Sequence, residues 1–146
     1  MKPWPQIVIF IAALIIFFDE LLKKTALRSF PNETEITGNK ILEFAVHKNL
    51  GIAFDLPIWL PLVVFLTIII ITGLIATAVR NKNKQPWLSV SVLIIACGAI
   101  GNLIDRLVYG FTVDYLIIPA TGSAFNLSDL VIITGLILLI FHRHKK

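Results

Sequence analysis

Two aspartates in an otherwise apolar chain are the residues best suited to carry out chemistry. Asp114 ends the segment 101–114 and Asp129 ends the segment 125–129, and each lies where an apolar stretch meets a loop. A carboxylate close to hydrocarbon is energetically costly, so its presence there indicates a function. Two carboxylates brought together by a short loop can share one proton and activate a water molecule. The pattern predicts the active site of an aspartic protease that works at a membrane surface.

Polar residues of the third apolar segment extend this candidate site. Asn102 is an amide in a membrane environment, where it requires hydrogen-bond partners and can orient a carboxylate. Asp105 and Arg106 have a second interpretation as an interfacial ion pair, with the long arginine side chain reaching water. Asp114 has the alternative of an ordinary loop acid in an extended piece after the turn at Gly110. These alternatives stay open for each residue taken singly.

Small and capping residues accompany these groups. Gly98 and Gly101 lie on the outer half of the third segment, where small residues also serve plain helix–helix packing. Asn126 and Asp129 fit the start of a helix, with Asn126 as the N-terminal cap and Asp129 at the positive end of the helix dipole. No single motif is decisive, and their combination favours the catalytic interpretation.

The apolar runs that position these residues are long enough for a membrane. The chain has 146 residues, 57% of them hydrophobic, which is too apolar for a soluble domain of this size. A helix needs about 20 apolar residues to cross a bilayer core. Uncharged runs occur at 58–79 and 87–104, and shorter ones at 7–18 and 130–141. We expect one integral-membrane peptidase domain, 1–146, with helices at about 5–27, 57–79, 87–107 and 126–141.

The polar stretch 29–55 lies between the first two predicted helices. It has a turn signal at Gly38-Asn39 and partly alternating apolar residues at 41–47, which predict strands. The expected fold class is therefore an all-α membrane protein, with four transmembrane helices and a small extracytoplasmic β-hairpin or sheet after helix one.

Charge placement predicts the orientation of the helices. All nine acidic residues fall on one side of the predicted spans, and the basic residues that flank the other side have no acid among them. By the positive-inside rule both termini and the loop 80–86 are cytoplasmic, and the aspartates face outward. The net charge of +4 thus reflects topology, and without a basic stripe bearing aromatics no nucleic-acid partner is expected. The flanking basic residues are Lys2, Arg80, Lys82, Lys84, Arg143, Lys145 and Lys146.

Five short motifs follow one another in a recognisable order. The first two are Asp19-x-x-x-Lys23 and Asn49-x-Gly51-x-Ala53-Phe54. The third is the segment 98–106, Gly-Ala-Ile-Gly-Asn-Leu-Ile-Asp-Arg, and the last two are 113–115, Val-Asp-Tyr, and 125–129, Phe-Asn-Leu-Ser-Asp. Over nearly its whole length the sequence resembles the lipoprotein signal peptidases (signal peptidase II).

This resemblance implies a function and a set of residues. The family removes signal peptides from bacterial prolipoproteins, cutting N-terminal to a cysteine that carries diacylglycerol, and it uses no metal or organic cofactor. The implied partners are lipid-modified prolipoproteins and membrane phospholipid, and the implied location is the bacterial cytoplasmic (inner) membrane. Asp114 and Asp129 would be the catalytic dyad. The implied substrate-binding or supporting residues are Asn49, Asn102, Arg106, Asn126, Asp19, Lys23, Asp105, Gly98 and Gly101.

The chain departs from the family pattern at three positions. Cys97 stands where a second glycine is common, Tyr115 where phenylalanine is usual, and Ser128 where alanine is frequent. Together with the short loop 116–124, these differences bear on substrate preference and packing and leave the expected chemistry unchanged.

The expected mechanism is hydrolysis by the two aspartates. The ionised aspartate accepts a proton from water, which attacks the scissile carbonyl, while the protonated one donates to the carbonyl oxygen and later to the leaving amine. The alternative function is a small proton-coupled membrane transporter with Asp19, Asp114 and Asp129 as relay groups. The acids cluster at one membrane face and the second helix is uncharged, which favours the peptidase.

Overall fold

The computed structural model describes residues 4–30, 41–51 and 58–143, which form four helices and three strands. The helices are α1 (Trp4–Ser29), α2 (Leu60–Asn81), α3 (Pro86–Val108) and α4 (Leu127–Arg143). The strands are β1 (Glu43–Asn49), β2 (Thr112–Ile118) and β3 (Ser123–Phe125). The protein is thus mostly helical with a small sheet, and both loops that carry strands lie at the same end of the helices.

Within these ranges, three helices are long and apolar enough to cross a membrane. Their candidate spans have 25 residues in α1, 22 in α2 and 23 in α3. The fourth helix, α4, has 17 residues. At about 1.5 Å per residue it is roughly 26 Å long, somewhat less than a typical hydrocarbon core. Prolines in the first turns of α2 and α3, Pro61 and Pro86, begin these helices because the first turn leaves its N–H groups unpaired in any case.

The central helix of the bundle is α3, which packs against the other three. In the most apolar 18-residue stretch of α3, 56% of the stretch is buried within the protein, compared with 11% for the corresponding stretch of α1 and 17% for that of α2. Glycines allow α3 and α4 to approach closely. A Cβ at Gly98 would lie 2.5 Å from the Ser128 carbonyl oxygen, and one at Gly135 would lie 2.6 Å from Ile95 Cγ1. Close packing of these two helices therefore depends on residues without side chains.

The outer faces of α1 and α2 carry large apolar side chains that the other described residues leave exposed. Phe10 is 68% exposed and Phe65 is 60% exposed. A contiguous apolar surface of this kind is unusual for a soluble monomer and suits contact with hydrocarbon. Together with the lengths of the helices, it indicates a membrane protein.

The sheet is antiparallel, with strand order β1-β2-β3. A strand is present where the alternation at 41–47 predicts one, but its partners differ from the expectation. They come from the segment after α3, with Asp114 of β2 opposite His47 of β1 and Leu116 opposite Phe125 of β3. Among the described residues, β1 therefore pairs with a strand from outside 29–55. Pairing across the two segments allows β2 to be buried between two strands and α1, whereas the predicted turn at 38–39 lies outside the described residues.

Candidate active site

Asp129 lies in the first turn of α4, which begins after Asn126. Asn126 Oδ1 accepts a hydrogen bond from the Asp129 N–H at 3.0 Å, and Asp129 Oδ2 accepts one from the Asn126 N–H at 3.1 Å. This reciprocal pair is a capping box, and the helix dipole favours a negative charge at its acid. Asn102 Nδ2 of α3 donates to the other carboxylate oxygen, Oδ1, at 2.7 Å. Asn102 of α3 and Asn126 at the start of α4 thus hold Asp129, whose side chain is half-buried.

Asp114 lies in the middle of β2 and is 2% exposed. Asn126 Nδ2 donates to its Oδ1 at 2.8 Å, and Asn49 Nδ2 of β1 donates to its Oδ2 at 3.1 Å. Burial, and then the charge of Asp129, raise the pKa of Asp114 to about 7, although the two amide hydrogen bonds act in the opposite direction. Asp114 is therefore able to gain or release its proton near neutral pH.

Asn126 joins the two aspartates. Besides its contacts with both acids, its Nδ2 lies 3.1 Å from Asn102 Oδ1 and 3.3 Å from the Val113 carbonyl oxygen. The side chain is fully buried. Neutral amides thus fix both carboxylates without neutralising either one.

A second buried cluster lies behind the dyad and consists of Asp19, Lys23 and Asp105. Lys23 Nζ is 2.9 Å from Asp19 Oδ2 and 2.8 Å from Asp105 Oδ2, and all three side chains are buried completely. Asp105 Oδ2 also accepts a hydrogen bond from the Val113 N–H at 3.1 Å, one residue before Asp114. The Asp19–Lys23–Asp105 cluster therefore ties α1 to α3 and fixes β2.

Asp19 holds the start of α4. Its carboxylate accepts the N–H groups of Leu127 at 3.1 Å and Ser128 at 3.2 Å, as well as the hydroxyls of Tyr115 at 2.7 Å and Ser128 at 2.5 Å. The first N–H groups of a helix have no partner within the helix. Asp19 satisfies two of them and Asn126 satisfies the third, so the position of Asp129 follows from side chains of α1 and of the cap.

Both aspartates face a single cavity of about 980 Å³. Asn49, Asn102 and Arg106 line its polar end with them. Further along the helices the walls become apolar, with side chains from three helices. These are Ile70 of α2, Ile95 and Ala99 of α3, and Ile132 and Ile133 of α4. The cavity thus offers a polar compartment at the dyad and an apolar one beside it.

Arg106 lies at the polar end and binds backbone carbonyl groups. Its Nη1 donates to the Asn102 oxygen at 3.2 Å and its Nη2 to the Gly51 oxygen at 3.3 Å. Asp105 is directed to Lys23 instead, so these sequence neighbours belong to two different clusters. Arg106 Nε and the Thr112 hydroxyl are buried without a hydrogen-bond partner in the described part of the chain, and both residues line the cavity. The described residues therefore leave the hydrogen-bonding capacity of two donors unused beside the polar end of the cavity.

The structure separates the predicted residues into three groups. Asn49, Asn102, Arg106, Asp114 and Asp129 line the cavity, and Asn126 lies directly behind the two acids. Asp19, Lys23 and Asp105 form the cluster behind the dyad. Gly98 and Gly101 pack against Ser128, where a Cβ on Gly101 would collide with the Ser128 hydroxyl. Two residues of the second motif, Ala53 and Phe54, lie outside the described residues.

Several residues of the site were not singled out from the sequence. Thr112 and His47 line the cavity, and strand alternation gives the signal for both, since Thr112 is two residues before Asp114 and His47 two before Asn49. Tyr115 contacts Asp19 through its hydroxyl, as does Ser128. Tyr115 and Ser128 could have been noticed because they depart from the family pattern. Their shared contact with Asp19 of α1, however, is visible only in the fold.

No group of three His, Cys, Asp or Glu side chains in residues 4–30, 41–51 and 58–143 is arranged to hold a metal ion. The described ionisable residues of the site contact amides, hydroxyls and each other.

The sequence matches known proteins over most of its length. A family model described as signal peptidase (SPase) II matches residues 11–144. A lipoprotein signal peptidase of Burkholderia ambifaria (strain MC40-6) is 31% identical over 153 aligned positions, covering 100% of this chain and 90% of that protein. Another, of Thermodesulfovibrio yellowstonii, is 29% identical over 137 positions, covering 91% of each.

Two solved structures share the fold. A bacterial membrane enzyme solved by the in meso method at 2.3 Å has a TM-score of 0.81 and 26% identity, covering 96% of this chain and 88% of that chain. A second, at 1.9 Å, has a TM-score of 0.77 and 25% identity, covering 94% and 92%. The match of the family model to nearly the entire chain, together with full-length relatives above 30% identity, shows that the chain belongs to the signal peptidase II family.

Proposed function

We propose that the chain is an aspartic endopeptidase that removes signal peptides from diacylglyceryl-modified bacterial prolipoproteins, cutting N-terminal to the lipidated cysteine. Its family is one of peptidases, and its relatives are named lipoprotein signal peptidases. The observation that carries the aspartic chemistry is the placement of Asp114 and Asp129 on one cavity, where three asparagines hold them.

The two aspartates have different environments, which supports different roles. Asp129 accepts N–H groups at the positive end of α4, so it serves as the base that takes a proton from water. Asp114 is more deeply buried, and its pKa of about 7 keeps a proton available near neutral pH. Asp114 donates a hydrogen bond to the scissile carbonyl oxygen while the water oxygen attacks the carbonyl carbon. As the C–N bond breaks, the leaving amine takes up a proton from the dyad.

The shape of the cavity supports a lipidated substrate. Peptide groups near the scissile bond would contact Arg106 Nε and the Thr112 hydroxyl, which are donors without partners in residues 4–30, 41–51 and 58–143. The apolar walls of α2, α3 and α4 would accept the apolar part of the signal peptide. Acyl chains left in the bilayer contribute about 0.8 kcal/mol per buried methylene, which is enough to keep the scissile bond at a fixed depth.

The membrane arrangement belongs to the same proposal. The chain forms a single domain with four spans, α4 being the shortest, and the dyad lies at the extracytoplasmic face with both termini in the cytoplasm. Basic residues at one end of the bundle, such as Arg80 and Lys84, support this orientation. Labelling of Lys84→Cys in a Cys97→Ser background by an impermeant thiol reagent in intact cells would contradict it.

The transporter alternative receives no support from the fold. A relay through Asp19 would require that this carboxylate exchange protons with the dyad through the cavity. Asp19 does not line the cavity, and its two oxygens accept four hydrogen bonds and an ion pair. Asp19 therefore has a supporting place in the fold.

The deciding experiment is a cleavage assay on the purified protein in detergent. Its substrate is a prolipoprotein peptide with a diacylglyceryl-modified cysteine, and the matched control is the same peptide without the lipid. We expect cleavage N-terminal to the modified cysteine, and a much lower kcat/KM for the unlipidated peptide, which lacks membrane registration. Comparable kcat/KM values would make the chain a general membrane-surface protease. Absence of cleavage of both peptides would contradict the peptidase proposal itself.

A further inference from the structure

Two hydroxyl groups connect the dyad to one buried carboxylate. Tyr115 directly follows Asp114 on β2, and Ser128 directly precedes Asp129 on α4. The Tyr115 hydroxyl donates to Asp19 Oδ1 at 2.7 Å, and the Ser128 hydroxyl donates to Asp19 Oδ2 at 2.5 Å. Asp19 therefore holds the immediate neighbour of each dyad acid. The family pattern commonly has phenylalanine and alanine at these two positions, neither of which can make such a contact.

We propose that Tyr115 and Ser128 are positioning residues that act through Asp19 to fix the separation between the Asp114 and Asp129 carboxylates. This inference rests on the proposed function, because it concerns the same dyad. Neither hydroxyl lines the cavity, so neither is expected to touch the substrate.

Burial and close packing hold the Tyr115 and Ser128 hydroxyls against Asp19. Tyr115 is 1% exposed, and its ring packs against Phe44 with centroids 5.6 Å apart. Burial, and then the hydrogen bond to Asp19, raise the pKa of the Tyr115 phenol, so it remains a donor at any physiological pH. Ser128 is fully buried, and the space for its hydroxyl exists because residue 101 is glycine. Lys23 in turn fixes Asp19 by an ion pair of 2.9 Å.

The separation of the carboxylates matters because the charge of Asp129 is, after burial, the second cause that raises the pKa of Asp114. Asp114 is faced by Asp129 from α4, Arg106 from α3 and His47 from β1, and it also experiences the charge of Lys23 of α1. Deleting either hydroxyl removes none of these charges. It removes a contact that holds β2 or α4 to Asp19, and we expect the two carboxylates to move apart and repel each other less. The upper apparent pKa of the pair should then fall.

The test uses Tyr115→Phe and Ser128→Ala, separately and together. Each single variant leaves Asp19 with four of its five partners, so the fold should be retained. We expect the alkaline limb of the pH dependence of kcat to move to lower pH by roughly 0.5 units or more. At neutral pH kcat should fall roughly 3- to 10-fold with little change in KM, because the substrate contacts are intact.

Ser89→Ala is the matched control. Its buried hydroxyl donates to the Ala78 carbonyl oxygen at 2.7 Å and joins α2 to α3 away from the dyad. This variant should lower Tm without moving the pH profile. Tyr115→Phe and Ser128→Ala could behave in the same way, with a lower Tm and no shift in the alkaline limb of the pH dependence of kcat. In that case the hydroxyls are merely structural and the inference is wrong.

A second measurement requires no substrate and so separates this inference from the proposed function. Infrared titration of the carboxyl groups, as a difference between each protein and its Asp114→Asn counterpart, reports the upper pKa of the dyad directly. A lower value in Tyr115→Phe or Ser128→Ala than in the wild type supports the inference even if no prolipoprotein is cleaved. An unchanged value overturns it even if the wild type is an active peptidase.

Discussion

The chain contains two groups of buried acids that lie side by side and are held in opposite ways. In the Asp19–Lys23–Asp105 cluster, a lysine lies within 2.9 Å of both carboxylates, and Asp19 also accepts four hydrogen bonds. In the dyad, Asp114 and Asp129 are held by the neutral side chains of Asn49, Asn102 and Asn126 and open onto a cavity.

The difference illustrates how one fold holds the same residue type in two ways, which under the proposed function serve support and chemistry. Asp19, paired with a cation and accepting four hydrogen bonds, fixes the elements around it. A carboxylate held by amides keeps its position without losing its ability to take up a proton, and burial raises the pKa of Asp114 to about 7. Asparagine contacts are therefore what distinguish the Asp114–Asp129 pair from the Asp19–Lys23–Asp105 cluster.

The largest expected effect concerns activity. Asp114→Asn and Asp129→Asn should each reduce cleavage of a lipidated prolipoprotein by at least roughly 10²- to 10⁴-fold, because each removes the acid or the base. Both variants should remain folded, since the amide can still hydrogen-bond within the asparagine network. Single-turnover assays on monodisperse protein in detergent measure this effect. Near-normal turnover in either variant would contradict the dyad assignment.

The same substitution in the other cluster should act on stability. Asp19→Asn removes the charge that pairs with Lys23 and weakens the anchor of β2 and α4, so we expect a loss of about 3–5 kcal/mol in the free energy of unfolding. Unfolding in a detergent series by SDS measures the loss. Glu20→Gln is the control, because Glu20 is partly exposed and lies 3.5 Å from Lys23. Equal stability of the two variants would mean that the cluster does not anchor the fold.

Whereas Asp19→Asn should lower the free energy of unfolding, Asp114→Asn should raise it at high pH. The pKa of Asp114 in the folded state, about 7, lies above its ordinary value of 3.8, so the folded protein keeps a proton that the unfolded chain has released. Stability should therefore decline as the pH rises between these values. Asparagine cannot ionise, so the variant should be more stable than the wild type above about pH 7, by at most roughly 4 kcal/mol, and not below about pH 4. Parallel pH–stability curves would contradict this prediction.

The smallest effect concerns the Thr112 hydroxyl, which has no hydrogen-bond partner among the described residues. Thr112→Val keeps the shape of the side chain and removes the donor, so kcat/KM should fall roughly 3- to 10-fold while stability is unchanged or higher. Thr134→Val is the control, because this exposed hydroxyl donates to the Leu130 carbonyl oxygen of its own helix at 2.8 Å. A loss of stability in Thr112→Val without a change in kcat/KM would assign the hydroxyl to the fold.

Much of the architecture follows from local sequence properties. Long uncharged runs predict the helices, because a buried helix satisfies its own backbone wherever the chain is apolar. Prolines at 61 and 86 indicate where α2 and α3 begin, and Asn126 followed three residues later by Asp129 predicts the cap of α4. The family motifs also mark both aspartates of the cavity and the Asn49, Asn102 and Arg106 side chains beside them, but not His47 or Thr112.

The partners of those residues could not be predicted, because they depend on contacts between distant segments. The sequence by itself determined an apolar bundle with a few acids at the ends of its helices, since hydrophobic runs and caps are local. Only the tertiary structure decided that β1 pairs with β2, that Asp105 and Arg106 turn to different clusters, and that Asp19 reaches residues near 115 and 128. The physical reason is that a buried charge takes whichever compensating groups the packing brings to it, and packing is a property of the whole chain.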